Sequence, residues 1–157
     1  MIDPDREPQL HLLSQSPLFR EFGSSELRRV GALISERRFE AGATIAEGGE
    51  FGKSLYVIAN GLVRIPSMVG TGSSLLMCAP EAFGVSSLVP PHRYLKSAIA
   101  DTDCHALVIP TQGLLALLEA DDSLGRRLFH QVARYLWQRF EEAIADAHGR
   151  PIGNYLH

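Results

Sequence analysis

Residues 40–65 read EAGATIAEGGEFGKSLYVIANGLVRI, and the way glycines interrupt short apolar runs in this stretch decides the fold class. Thr44 to Glu47, Ser54 to Ala59 and Leu62 to Ile65 are too short for helices. Short runs rich in β-branched and aromatic residues, bounded by glycine, read as strands. Gly42, Gly49, Gly52 and Gly61 mark turns where the backbone needs positive φ or a close approach that a Cβ would obstruct. Asn60 and Gly61 predict a two-residue hairpin, because a type I′ turn needs positive φ at both central positions. Outward along the chain, Leu75 to Ala79 and Ala98 to Ile109 continue the pattern, so Arg37 to Ile109 reads as a β-sandwich or roll with many turns.

The period changes on both flanks. Leu10 to Gln15 reads as a short helix, and a second begins near Ser24, with Leu27, Val30, Leu33 and Ile34 at helical spacing. Ser24 is the expected N-cap, with Glu26 in the first turn. After the β region, Thr111 to Glu119 reads as a short helix and Ser123 to His148 as a long one. Leu124, Leu128, Val132, Leu136, Phe140 and Ile144 share one face of the long helix with Phe129 and Trp137. Asp121 and Asp122 favour its positive start, and Gly149 with Pro151 are expected to end it. No internal repeat or low-complexity linker is present. The chain divides into a tail 1–9, one domain 10–148 and a tail 149–157, and the fold class is mainly β with flanking helices.

Composition narrows the function classes. With 45% hydrophobic and 21% charged residues in 157, there is apolar matter for one core and no signature of disorder. The formal net charge is -3, and basic residues fall in scattered pairs (Arg28 and Arg29, Arg37 and Arg38, Arg126 and Arg127). A broad nucleic-acid surface is not expected from such a distribution. Cys78 and Cys104 lie in apolar, strand-like runs, which predicts buried free thiols and a reducing, cytoplasmic compartment. The acidic, polar start from Met1 to Pro8 does not fit a secretory signal, and no run reaches the roughly 18 apolar residues of a membrane helix.

The same residues carry a resemblance. Pro17-Leu18-Phe19, Glu40-Ala41-Gly42 with Ile45, Gly49-Glu50, Gly52, Leu55-Tyr56-Val57-Ile58 and Gly61 with Val63 resemble the front half of a cyclic-nucleotide-binding domain of the catabolite-activator and kinase-regulatory type. Phe83-Gly84 and Ala100 to Ile109 fit its next landmarks, so the likeness runs from about Leu10 to Ala147. The resemblance implies a double-stranded β-helix, or jelly roll, followed by a long C-terminal helix. It also implies a site, a cassette in which a Gly-Glu pair opens a short helix. There the Glu accepts from the ribose hydroxyl and a downstream Arg pairs with the cyclic phosphate.

This sequence departs from that pattern. The pair reads Gly84-Val85, and the spacing places Tyr94 where the Arg belongs and Leu95 where a Ser or Thr follows. Valine accepts no hydrogen bond and a neutral tyrosine brings no charge. Loss of a buried charge-assisted pair weakens binding on the order of 10²-fold or more. Two features keep a ligand site in view. Arg93 precedes Tyr94 and would reach the phosphate position if the loop with Pro90 and Pro91 turned it inward. Val85, Ser86, Ser87 and Leu88 would start a short helix whose N–H groups face an anion. Against these, the serines only cap or solvate the turn, and Val85 with Tyr94 fill the former pocket. A self-occluded pocket is the leading expectation.

Other chemistry finds little footing. The six histidines are dispersed, without HxxxH or CxxC, so no metal is expected. Two separated cysteines do not ligate a Cys₄ cluster, no cofactor is expected, and no nucleophile motif such as GxSxG occurs. The reading is therefore not an enzyme but a regulatory or ligand-sensing module. One alternative is a protein-interaction or dimerisation domain with a vestigial pocket; another is the sensor part of a CRP/FNR-type transcription regulator. The last helix would be about 39 Å long at 1.5 Å per residue, more than a small roll covers. In relatives the corresponding helix forms a dimer and leads into a DNA-binding helix-turn-helix, which these 157 residues are not expected to include. A homodimer is expected, with Leu136, Phe140 and Ile144 at the seam and Trp137 beside it or packed on the roll. The expected partners are a second copy, an unidentified small molecule or a protein, and neither nucleic acid nor membrane.

Overall fold

A computed structural model describes residues 6–66 and 74–148, with side chains to residue 145. Helices α1 (Arg6–Gln15) and α2 (Ser24–Gly31) precede eight strands: β1 (Ser35–Phe39), β2 (Thr44–Ala46), β3 (Ser54–Asn60), β4 (Val63–Ile65), β5 (Leu75–Met77), β6 (Ala82–Phe83), β7 (Ala98–Ala100) and β8 (Cys104–Pro110). A single 3₁₀ turn, Val85–Leu88, sits between β6 and β7, and helices α3 (Thr111–Ala120) and α4 (Asp122–His148) follow. The strands form two four-stranded sheets, β1-β8-β3-β6 and β2-β7-β4-β5, and every strand pair is antiparallel. This is the expected jelly roll with flanking helices.

The apolar run of β3 explains the layering. Successive side chains of a strand point to opposite faces. Leu55 and Val57, with Leu107 and Ile109 of β8, join the helices in one core, whereas Tyr56, Ile58, Ala106 and Val108 pack toward the second sheet in another. The register agrees: Leu55 stands opposite Ile109, Tyr56 opposite Val108 and Val57 opposite Leu107. The first sheet is thus covered on both faces, which is why β3 reads as a continuous apolar run rather than an alternation.

Helix α4 lies across the helix-side core, where its Leu124, Leu128 and Val132 are buried. Asp121 starts it, its Oδ1 accepting the Leu124 N–H at 3.1 Å while Arg29 of α2 pairs with its Oδ2 at 2.9 Å. Arg127 of α4 and Glu26 of α2 form a second link, Arg127 Nη1 donating to Glu26 Oε1 at 3.0 Å. That guanidinium, helped by the Gly23 N–H, holds the Glu26 carboxyl below its ordinary value.

Several expectations are corrected. Asn60-Gly61 is not a hairpin turn, because β3 and β4 belong to different sheets and do not pair. Gly61 alone adopts positive φ, at 89°, and carries the chain from one sheet to the other. A type I′ turn needs Asn60 in the left-handed region too, but Asn60 continues β3 opposite His105. The run Ala98 to Ile109 is two strands, β7 and β8, each in its own sheet. Ser24 is the first residue of α2 rather than its cap: Gly23 is the cap, and its N–H donates to Glu26 Oε1 at 3.0 Å. Residues 6–9 are helical, where Arg6 Nη1 donates to the Gly31 carbonyl at 2.7 Å, not tail. Cys104 is buried but Cys78 is exposed. The expected helix stop at Gly149 and Pro151 lies outside the described residues. No described helix is long and apolar enough to cross a membrane.

Candidate functional site

The cassette residues fold into a tight structure around Tyr94. Gly84 opens the 3₁₀ turn with φ 76°. A Cβ there would lie 3.1 Å from both the Ser54 carbonyl oxygen and Tyr94 Cε1. The Tyr94 hydroxyl donates to the Ser54 carbonyl at 2.7 Å and accepts the Ser54 N–H at 3.1 Å. Both sides of the hydroxyl are therefore used by backbone. Burial pushes the phenol up to about 12, so it stays neutral near neutral pH. The Tyr94 backbone is clamped as well, its N–H bonding the Glu50 carbonyl and its carbonyl the Gly49 N–H.

The other cassette residues take different roles. Arg93 does not turn inward: it bridges to Phe51 through the backbone, and its Nη1 donates to the Gly49 carbonyl at 2.8 Å in an exposed position. Ser87 is fully buried, and its Oγ accepts from Thr111 Oγ1 at 3.0 Å. The Ser86 Oγ accepts the Leu95 N–H at 3.1 Å, tying the start of the turn to the end of the cassette. Val85 is buried. The serine side chains thus bind the loop to itself and to α3, and the four-residue turn presents no extended helix end to an anion.

The pocket is not self-occluded. A cavity of about 650 Å³ lies between the second sheet, the cassette and α4. Tyr94 fails to fill it because its two hydrogen bonds to Ser54 hold the ring at one side. Gly84, Val85, Ser86 and Tyr94 line the cavity at the cassette end, while Ser87 and Arg93 do not reach it. Ile65, Leu75, Met77 and Ala98 of the second sheet form an apolar wall, which Leu136 and Phe140 of α4 close. Pockets of this size and character suit small molecules.

Five polar residues were missed at the sequence level: Ser74, Lys96, Tyr135, Arg139 and Glu142 also line the cavity. Arg139 Nη1 donates to Glu142 Oε2 at 2.7 Å, its Nη2 stands 3.5 Å from Glu81 Oε2, and its Cζ lies 4.8 Å from the Tyr135 ring centre. The Tyr135 hydroxyl donates to the Ala82 carbonyl at 2.8 Å, and burial raises this phenol. The spacing of residues 135, 139 and 142 was the available signal, since i, i+4 and i, i+3 neighbours share a helix face. No group of three or more His, Cys, Asp or Glu side chains suited to a metal occurs among the described residues.

The helix residues divide by burial. Leu136 is half-buried against the helix-side core and the cavity. Trp137 is 60% exposed and Phe140 55% exposed, their rings 5.8 Å apart, and Ile144 is half-buried. Trp137 is therefore not packed on the roll.

This geometry agrees with the comparisons. The profile of the cyclic nucleotide-binding domain matches residues 36–121. A cyclic AMP receptor protein from Thermus thermophilus is 31% identical over 134 residues, covering 82% of this chain and 59% of that protein. The chain belongs to the cyclic nucleotide-binding domain family. It spans about three-fifths of the length of that relative. Among solved structures, a protein from Geobacter metallireducens GS-15, named as a candidate cyclic-nucleotide-binding protein, superposes with a TM-score of 0.71. It is 24% identical, with 89% of this chain and 99% of that one covered. The sensor domain of the transcriptional regulator DNR from Pseudomonas aeruginosa superposes with a TM-score of 0.70 at 19% identity, covering 89% and 96%. At these identities the two structures speak to the fold alone.

Proposed function

We propose that the chain is a non-enzymatic regulatory module whose cavity senses a small molecule, and that it does not hold cyclic AMP or cyclic GMP in its family's manner. The observation that carries this reading is Tyr94. By its spacing in the sequence it stands where the resemblance expects the phosphate-binding arginine, its hydroxyl is consumed by Ser54, and yet a cavity of about 650 Å³ stays open beside it. A vestigial pocket would be expected to collapse or fill, because interiors pack closely.

Its 31% identity to a cyclic AMP receptor protein supports the sensor part of a CRP/FNR-type regulator acting in the cytoplasm. The exposed Trp137 and Phe140 favour a further property, a homodimer formed along α4. An interaction domain with a vestigial pocket is the competing reading. Native mass spectrometry of the purified protein separates the two. The sensor reading predicts a small-molecule adduct released on denaturation. A protein carrying no adduct but retaining a foreign polypeptide would favour the interaction domain.

A further inference from the structure

We infer that the cavity takes an apolar molecule bearing a single anionic head group, held by Lys96 and the Ser86 hydroxyl. The inference rests on the reading of the cavity as a ligand site and adds the ligand's chemistry. The walls fix the first half: Ile65, Leu75, Val85, Leu136 and Phe140 offer no hydrogen bond through their side chains, and Met77 only a weak thioether acceptor. The ligand body must therefore be apolar, and 650 Å³ lies within the 300–1,000 Å³ of small-molecule sites.

The polar lining fixes the second half, once committed groups are set aside. The Tyr94 hydroxyl is spent on Ser54 and that of Tyr135 on Ala82. Arg139 and Glu142 are paired with each other, and Arg139 reaches Glu81 as well. Ser86 is different: its Oγ accepts the Leu95 N–H, which leaves its O–H to donate. Lys96 is half-buried, and no described carboxylate stands within 4.0 Å of it. Ser74, a hydroxyl able to donate or accept, completes the polar lining. The segment 67–73, SMVGTGS, has no charged side chain to neutralise the lysine. The cavity thus offers, among the described residues, one cation without a carboxylate partner and a donor, while its one lining carboxylate, Glu142, is paired through Oε2 with Arg139. An anion on an apolar body satisfies this set, whereas a neutral ligand leaves the lysine unmatched.

Two dyes that share an anilinonaphthalene ring system test the inference on the full chain. 1-Anilinonaphthalene-8-sulfonate carries the anion and N-phenyl-1-naphthylamine lacks it; fluorescence titration reads both. The sulfonate should bind at least about tenfold tighter than the neutral amine, as expected for a partly desolvated charge pair. Lys96→Met should weaken the sulfonate about tenfold and leave the amine within about twofold, while Lys96→Arg restores the sulfonate. Ala143→Trp fills the cavity from a half-buried position on α4 and should weaken both dyes by about tenfold or more, with circular dichroism confirming the fold. Equal affinity for the two dyes, or a sulfonate indifferent to Lys96→Met, overturns the anionic class while the cavity stands as a ligand site if Ala143→Trp still excludes both. Dyes unaffected by Ala143→Trp bind elsewhere, which removes the support for both readings.

Discussion

Gly61→Val is expected to abolish cooperative folding, while Gly42→Ala leaves the protein folded. Both glycines have φ near 90°, so both substitutions force an L-residue into the left-handed region, at about 1–2 kcal/mol. The surroundings separate them. At Gly42 a Cβ would meet nothing within 4 Å, so the cost ends with the backbone. At Gly61 it would lie 2.3 Å from the Asp103 carbonyl oxygen and 2.9 Å from the Cys104 Cα. Neither backbone atom can withdraw, because the turn from Asp101 to Asp103 is held against Leu62 by the Asp101 N–H to its carbonyl and the Leu62 N–H to Thr102 Oγ1, both at 2.9 Å. Valine adds two methyl groups to that collision. A loss above about 4 kcal/mol is a large fraction of the about 5–15 kcal/mol that holds a domain together. Urea unfolding followed by circular dichroism should show a loss of about 1–2 kcal/mol for Gly42→Ala and no native baseline for Gly61→Val. A Gly61→Val protein within about 1 kcal/mol of the parent would mean that the crossing between sheets is built differently.

Replacing Phe140 and Ile144 together by glutamate should convert a dimer into a folded monomer. Phe129, Ala133, Trp137, Phe140 and Ile144 follow one another at intervals of three or four residues, which keeps them on one stripe of α4. Of these, Phe129 is 39%, Trp137 60% and Phe140 55% exposed, whereas the neighbouring stripe of Leu124, Leu128 and Val132 is buried in the roll. A continuous apolar stripe is seldom left in water. Covering two aromatic residues per protomer contributes several kcal/mol at about 25 cal/mol per Å², and glutamates facing each other across a two-fold seam would oppose it. Light scattering should give twice 17.2 kDa for the parent and 17.2 kDa for the double variant, with the β signal retained because both cores exclude these residues. A parent mass of 17.2 kDa, or a variant that unfolds, would contradict the proposal.

The residues differ in how much they disclosed before folding. The roll was legible because its turns are written in glycine and its central strand in unbroken apolar residues. Strand β1, reading SERRF, was not, since four of its five residues are exposed and only pairing with β8 makes them a strand. The Asn60-Gly61 pair misled for a related reason: a local signal for a tight turn was overridden by the partners that β3 and β4 find in separate sheets. At the site, Val85 and Tyr94 were legible as departures from the Glu and Arg that the resemblance implies. The open cavity was not, because it depends on the direction in which Ser54 holds the tyrosine ring. Nor was the exposed stripe of α4 fully legible: Leu136 and Trp137 are adjacent in sequence, and only the packing shows which one turns to the roll.

The central claim is that this member of the family does not hold cyclic nucleotides by the usual contacts, and isothermal titration with cyclic AMP and cyclic GMP tests it most directly. The parent should show no dissociation constant below about 100 μM, given a loss on the order of 10²-fold or more from the missing charge pair alone. Val85→Glu with Tyr94→Arg should then raise the affinity, since the cassette backbone and the cavity are in place. A parent dissociation constant in the low micromolar range or tighter for either nucleotide would contradict the account.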